Sequence, residues 1–342
     1  MVRVEVTTHE DTSMEPFNGK RIATIGGGTG GFVVNRGLRQ YAVSPTAICT
    51  VFDSGGNTGQ LRDQYGALPQ GDVRRCLLAL ARDNDDTLRR LFEHRFERNG
   101  FALDDYSLGN LMLLAAQHEW GVVEGIRRVA SVLQVVGTVL PVSVDSAHLC
   151  AELSDGEKLI GERYIDKRSL EDDRTIVRLT LDAPAYACRE AVEAIQNAHV
   201  IVLGPGDLYT SIIPNLLVKG IVEAINSSLA RLCYVPNLMT KWSETRGFGV
   251  DTFVQTLQAY GIQRPFDTVL VNTTPIGDEL LTHYLTKEKS EPVRLTDDVE
   301  TALLASTAVR EFVKTNLVSA SGLAARLIRH DPQLLAHAIV GL

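Results

Sequence analysis

One glycine cluster limits the folds open to this chain more than any other feature of its 342 residues. Residues 22–37 read IATIGGGTGGFVVNRG. A short apolar run (Ile22, Ala23, Thr24, Ile25) meets six positions that are glycine except at Thr29, and an amphipathic stretch with Phe32, Val33 and then Leu38 follows. That order is strand, tight turn, helix. Gly26, Gly28 and Gly31 keep the G-x-G-x-x-G spacing, while Gly27, Thr29 and Gly30 fill the turn. In such a turn the first glycine lets the chain reverse, the second lets backbone approach a phosphate, and the third lets helix pack on strand. The phosphate sits on unpaired N–H groups at the helix start, where the dipole is positive. Glycines also serve plain turns with positive φ; the strand before and the helix after favour a phosphate-bearing ligand here.

Residues 46–52, TAICTVF, are β-branched and apolar throughout, as a strand covered on both faces should be, and they end at Asp53. An acid closing the second strand of a βαβ unit, about twenty residues past the glycines, is placed to accept from ribose hydroxyls. A capping Asp in a turn is the alternative. The aperiodic segment 54–72 has four glycines before its final Gly71-Asp72 pair, and a long glycine-rich segment beside a phosphate site is a candidate for function. Ser54, Gly55, Gly56, Asn57 and Thr58 belong to it, and Arg62 and Arg74 are candidate phosphate partners, with Arg75 facing solvent as an alternative. Asp72 has two readings, an N-cap for a helix over 73–81 or a catalytic or ligand-binding acid. The turn Ser107-Leu108-Gly109-Asn110 opens a further apolar helix; Ser107 is either its cap or, with Asn110, part of a site edge.

A composition shift follows. Short alternating runs at 139–144, 148–153, 158–160 and 176–181, separated by Asp-Gly and Ser-Asp turns, predict a small antiparallel insertion over roughly 135–182. The α/β rhythm then returns. HVIVL (199–203) stops at Gly204-Pro205-Gly206-Asp207, and Leu208-Tyr209-Thr210-Ser211 begin the next helix: a second strand–glycine–helix junction. Later apolar strands end at Pro236-Asn237-Leu238-Met239-Thr240 and at Asn272-Thr273-Thr274-Pro275. Parallel strands share one carboxyl edge, where open α/β sheets bind ligands, so one cleft is expected to collect Gly28, Asp53, Gly206, Asn237 and Asn272.

Composition excludes several classes. The formal net charge of −8 argues against general electrostatic binding to nucleic acid or to an anionic membrane surface. No apolar run approaches the ~20 residues that span a bilayer, and residues 1–18 lack the basic and apolar regions of a secretory signal, so a cytoplasmic protein is expected. Those eighteen residues read as a flexible extension, and 19–342 as one α/β domain. The five cysteines form no C-x-x-C pair and the eight histidines no H-E-x-x-H, so neither a disulfide framework nor a transition-metal site is indicated. A homo-oligomer is expected, with the insertion or the surface around 186–190 as its candidate interfaces.

Longer blocks carry a resemblance. IGGGTGG, VFDSGGNTGQLRDQYGALPQGDVRRCLLALA, SLGNL, VLGPGDLYTSIIPNLLVKGI, PNLMTKWSET and the closing RHDPQLLAHAI resemble the CofD/YvcK-like family over residues 20–342, closer to its YvcK branch. The resemblance implies a Rossmann-like three-layer αβα core with a mostly parallel sheet. It also implies a UDP-sugar-binding regulator linked to carbon flux, cell-wall synthesis and cell shape. There the glycine turns would hold the diphosphate, Asp53 the ribose, and Asn237, Thr240 and Asn272 the sugar or base. The related transferase branch implies transfer of phospholactate from a nucleotide-activated donor to the deazaflavin Fo, with Asp53 and Asp72 as catalytic or Mg²⁺-holding acids. This chain departs from that branch: Ser54 follows Asp53 where a second Asp is usual, Asp105-Tyr106-Ser107 replaces Gly-His-Ser, and arginines are missing around Val136-Gly137-Thr138. A nicotinamide-dependent oxidoreductase is a third reading of the glycine fingerprint and Asp53, without an evident hydride partner.

Overall fold

The computed structural model describes residues 19–55, 59, 61, 65–82, 86–97, 100 and 103–342. The extension 1–18 and the site candidates Gly56, Asn57, Thr58 and Arg62 lie outside the described residues.

The strands are β1 (Lys20–Gly26), β2 (Val43–Cys49), β3 (Thr138–Pro141), β4 (Leu149–Leu153), β5 (Lys158–Ile160), β6 (Ile176–Leu181), β7 (Val200–Leu203), β8 (Arg231–Tyr234), β9 (Thr268–Asn272) and β10 (Phe312–Thr315). Seven of them form one sheet in the order β10-β9-β8-β7-β1-β2-β3, with every neighbouring pair parallel. The first crossovers therefore build outward from β1 through β2 to β3, and the chain then returns to β7 on the other side of β1. Between β1 and β7 the order reverses, which is the topological switch point where such sheets bind ligands.

Alternation along the strands makes the layers. Ala23, Ile25, Ile48, Ile201, Leu203, Leu232 and Val269 face one side, packed with residues of the helices Arg189–Gln196, Ile221–Ser227 and Val250–Ala259. Ile22, Val200, Val202, Cys233 and Leu270 face the other, against α1 (Gly28–Leu38) and the C-terminal helix Pro332–Val340. Ala47, Cys49 and Val139 continue that second face under α2 (Gly71–Leu80) and the helices Leu108–Trp120 and Val122–Val132. Strands this short and buried on both faces read as continuous Val/Ile/Leu runs, which is why they were visible in the sequence. Among the described residues no helix is long and apolar enough to cross a membrane.

Three expectations are corrected. β2 runs Val43–Cys49 rather than 46–52; Thr50, Val51 and Phe52 are buried beyond the ladder, so Asp53 stands four residues past the strand end. Pro45 fits inside β2 because β3 pairs only from Thr46 onward, leaving that edge uncovered at Pro45. The run beginning at 139 is not part of the insertion: Val139 pairs in parallel with Ala47, making β3 the edge of the main sheet. A short alternating run does not reveal the direction of its partner. The antiparallel insertion is the sheet β5-β4-β6, whose buried Leu149, Ala151, Leu153 and Leu179 join the core of the first face. Finally, α2 starts at Gly71 with Gln70 in the N-cap position and no side-chain cap, so Asp72 lies inside the first turn and is not the cap.

Candidate functional site

The glycine turn is built by close approach of backbone, but not at the fingerprint positions. Gly28 has φ +61, the conformation that lets the chain turn from β1 into α1. A Cβ at Gly27 would stand 2.1 Å from Asp72 Oδ2, and one at Gly30 would stand 2.0 Å from the carbonyl oxygen of Pro205. At Gly31 the nearest atom would be Cys76 Sγ at 3.9 Å, and at Gly26 the Pro205 oxygen at 4.0 Å, so neither position demands glycine by crowding. The tight approach assigned to the third fingerprint glycine is made one residue earlier, by Gly30, and against the second junction rather than the strand.

That second junction follows β7. Gly204 has φ +76, its peptide bond to Pro205 is cis, and the Gly206 N–H donates to Asn237 Oδ1 at 2.9 Å. The chain then enters a π-helical turn, Leu208–Ile212. Ser211 Oγ faces the glycine turn, 3.2 Å from where a Gly28 Cβ would be. Tyr209 N–H and Thr210 Oγ1 both donate to Glu244, at 2.8 and 2.9 Å. Glu244 also accepts from Lys241 Nζ at 3.0 Å, and the same ammonium donates to Asp207 Oδ2 at 2.6 Å and to Asp166. The three carboxylates Asp166, Asp207 and Glu244 cluster as metal ligands do, but the Lys241 ammonium already bonds to all three.

The two junctions open onto a cleft of about 620 Å³ at the switch point. It brings together Gly28, Thr29, Gly30, Asp53, Gly55, Asp72, Arg74, Asn110, Gly206, Asp207, Thr210, Ser211 and Asn237. Other expected site residues lie elsewhere. Asn272 spends its amide on backbone, donating to the Thr274 carbonyl and accepting from the N–H groups of Thr274 in its own turn and of Leu317 after β10; it borders a separate pocket. Thr240 is buried against the 290–291 backbone and accepts from the Glu291 N–H at 2.8 Å. The Tyr209 ring stacks edge-on toward Tyr260 in the core. Ser107 is a helix cap, accepting from the Asn110 N–H at 3.2 Å. Ser54 Oγ accepts from the Arg163 N–H at 3.0 Å and ties the loop after β2 to the insertion.

The insertion supplies what the sequence reading did not foresee. Its short helix Glu162–Asp166 brings Glu162, Asp166 and then Lys167 into the cleft wall. Burial, reinforced by the charges of Asp53 and Asp166 and by a hydrogen bond shared with Asp53, pushes the Glu162 carboxyl up to about 8. Asp53 Oδ1 meanwhile accepts from the Gly55 N–H at 2.6 Å. Burial also raises Asp72 to about 6; Arg75, with Nη1 3.8 Å from Asp72 Oδ1, and the Gly28 N–H oppose this, while Asp53 and Asp207 add to it. Asp72 thus takes one of the N–H groups at the start of α1, leaving those of Thr29 and Gly30 without intrahelical acceptors. Arg329 and His330 close the opposite wall; burial pushes His330 down to about 4, and its Nε2 has no hydrogen-bond partner. No local motif marks Glu162, and His330 lies in the closing RHDPQLLAHAI block, but each reaches the cleft only through tertiary packing.

The Glu162 assignment has a pH signature. A carboxyl raised in the folded state contributes stability that is present at acid pH and lost as pH rises through its folded value, here about 8. Asp72 loses its contribution by about 6, and His330 acts in the opposite sense only below its free value of 6.5. Above pH 6.5 Glu162 therefore sets the slope. Unfolding free energy should fall by about 2 kcal/mol between that pH and about 8.5, and Glu162→Gln should flatten the decline. Urea titrations of both proteins at the two pH values check this; an unchanged slope in the variant removes the assignment.

Comparison with known proteins places this architecture. A family model described as "2-phospho-L-lactate transferase CofD" matches residues 22–314. The gluconeogenesis factor of Halalkalibacterium halodurans is 42% identical over 295 residues, covering 86% of this chain and 90% of that protein. That of Bacillus subtilis is 36% identical over 323 residues, covering 94% and 98%. A crystal structure of a UPF0052 family member from Bacillus halodurans superposes with a TM-score of 0.86 at 39% identity, covering 95% of this chain and all of that one.

Proposed function

Because the chain belongs to the CofD family, we propose that its cleft binds a nucleotide-linked small molecule of the UDP-sugar type, and that the protein is a ligand-responsive regulator of carbon flux and cell-wall synthesis. The observation that carries this reading is the meeting of two strand–glycine–helix junctions across the β1/β7 switch point, where Gly30 and Pro205 approach to backbone contact. A diphosphate would be held by the N–H groups of Thr29 and Gly30 and by the Arg75 guanidinium. Asp53 would accept from the ribose. Asn237, its Oδ1 engaged by Gly206, keeps its amide N–H₂ to donate to the sugar or base. A cleft of about 620 Å³ suits a ligand of that size.

A second reading rests on the carboxyl groups. The Asp53 charge adds to the burial that raises the proton affinity of both Asp72 and Glu162. A divalent cation relieves such repulsion, and Asp53 and Asp72 are the residues that would hold Mg²⁺ for a phospholactate-type transfer from a nucleotide-activated donor.

Thermal unfolding with UDP-N-acetylglucosamine, UDP-glucose, NAD⁺, GDP and GTP, each with and without Mg²⁺, separates the readings. A ligand at about 100 times its Kd stabilises by about 2.7 kcal/mol and raises the midpoint by several degrees. The expected result is a metal-independent shift with the UDP-sugars that disappears in Gly28→Val, whose apo form should stay folded at a lowered midpoint because valine strains the positive-φ turn. Full affinity in that variant would defeat the phosphate-turn assignment. A shift requiring guanine nucleotide plus Mg²⁺ would select the transferase, and one confined to NAD⁺ the oxidoreductase.

A further inference from the structure

We propose that the cleft contains a second anion seat, built on Arg74 and Asn110, which takes a carboxylate or phosphate oxyanion carried by the ligand beyond its diphosphate. The seat itself stands on the geometry of Arg74; only its assignment to the same ligand rests on the nucleotide reading above.

Arg74 is 9% exposed, yet its Nε has no hydrogen-bond partner, and among the described residues no carboxylate stands within ion-pair distance. Asp72 and Glu93 act on it only at longer range, and Arg95 and Arg75 oppose its charge. Burial pushes the guanidinium down to about 10, which still leaves it cationic at neutral pH. A buried cation without a partner is destabilising, and folds rarely keep one unless something external completes it. The chain also makes room for it. A Cβ at Gly109, in the first turn of the helix Leu108–Trp120, would lie 2.6 Å from the Phe92 carbonyl oxygen and 2.9 Å from Arg74 Cδ, so glycine there leaves room for the Phe92 backbone and for the arginine stem alike. Beside it, Asn110 is 6% exposed, and Arg74, Arg95 and Asn110 all line the cleft.

The seat is distinct from the glycine turn. Successive residues of α2 project about 100° apart. Arg75 is the one that approaches Gly28, 4.0 Å from the position of a Cβ there, whereas Arg74 turns toward Gly109. A planar guanidinium offers a fork of donors to two oxygens of one oxyanion, a geometry shared by carboxylate and phosphate. Asn110 adds an amide N–H₂ able to donate to the same group.

The test uses inorganic phosphate and malonate as probes, at matched ionic strength, read by thermal unfolding and calorimetric titration. The proteins are wild type, Gly28→Val and Arg74→Gln. Both the wild type and Gly28→Val should respond to millimolar anion, and Arg74→Gln should bind at least about tenfold more weakly, a difference of about 1.4 kcal/mol. Its apo midpoint should equal or exceed that of the wild type, because an unpaired buried charge has been removed. The larger of the phosphate and malonate responses identifies the group the seat prefers. A full response in Arg74→Gln, loss of the response in Gly28→Val instead, or no response of the wild type would each overturn the proposal. So would a lowered apo midpoint of Arg74→Gln, which marks a structural arginine. Silence of the UDP-sugars with an Arg74-dependent anion response would overturn only the nucleotide reading.

Discussion

Lys241→Met will lower the unfolding free energy by about 3 kcal/mol, the largest loss expected from any single polar side chain of the network beside the cleft. The Lys241 side chain is 28% exposed, but the Glu244 side chain it bonds is fully buried. Burial works against the ammonium, and the charges of Glu244, Asp207 and Asp166 outweigh it, holding the lysine above its ordinary range. Without the ammonium, Glu244 becomes a buried carboxylate among two like charges, retaining only its bonds from Tyr209 N–H and Thr210 Oγ1. Burial already raises its proton affinity, and the substitution drives it further toward the neutral form. The destabilisation should therefore shrink as pH falls and Glu244 takes up a proton. Lys241→Met combined with Glu244→Gln should recover about half of the loss, since the two side chains act as one unit. Urea unfolding of Lys241→Met, Glu244→Gln and the double variant tests this, and a loss below about 1 kcal/mol for Lys241→Met would reduce the contact to a surface ion pair. The effect reaches the ligand cleft, because the same ammonium joins the insertion, through Asp166, to the turn after β7, through Asp207.

That linkage also explains what the sequence could and could not disclose. The β1–α1 junction was legible because it is local: an apolar β-branched run, glycines and an amphipathic stretch lie consecutively in residues 22–38. Asp53, Gly206 and Asn237 were placed together correctly because the carboxyl ends of parallel strands share one edge whatever the loops do. The same rule overreached at Asn272, where a polar residue ending β9 satisfies the backbone of its own turn rather than a ligand. Strand-end residues serve both purposes, and only the hydrogen-bond partners tell them apart. Glu162 was invisible for a different reason: its helix meets the loop after β2 across 109 residues of chain, at Ser54 and Arg163. An insertion that reads as a separate antiparallel module gives no sign of which face of the sheet its helix will overhang. Arg74 and Arg75 are neighbours in sequence with opposite surroundings, a distinction set by the rotation of α2 and by the glycine at 109.

The second large effect separates the glycine fingerprint from the packing that operates in this turn. Gly30→Ala should destabilise by about 3 kcal/mol and remove ligand-induced stabilisation. The added methyl would stand 2.0 Å from the Pro205 oxygen, 2.4 Å from its carbonyl carbon and 2.9 Å from the Gly206 nitrogen. All three are backbone atoms, so relief requires α1 and the turn after β7 to move apart, and that movement carries Gly206 away from its bond with Asn237. Gly31→Ala is the control with the opposite expectation. Gly31 is the third glycine of the G-x-G-x-x-G spacing, yet a methyl there meets only Cys76 Sγ at 3.9 Å, an ordinary contact. Inside a helix, alanine is favoured over glycine by about 1 kcal/mol, so Gly31→Ala should leave stability unchanged or slightly raised. Chemical unfolding of both variants decides the matter, with UDP-N-acetylglucosamine as the ligand in a parallel thermal scan. If Gly31→Ala proves the damaging change and Gly30→Ala the tolerated one, α1 packs on its strand in the manner of a dinucleotide fold and the junction after β7 has no part in shaping the phosphate seat. The expected order of the two variants instead makes the Gly30–Pro205 contact the element that holds the two halves of the cleft in register, with the fingerprint spacing a by-product of a turn crowded from the opposite side.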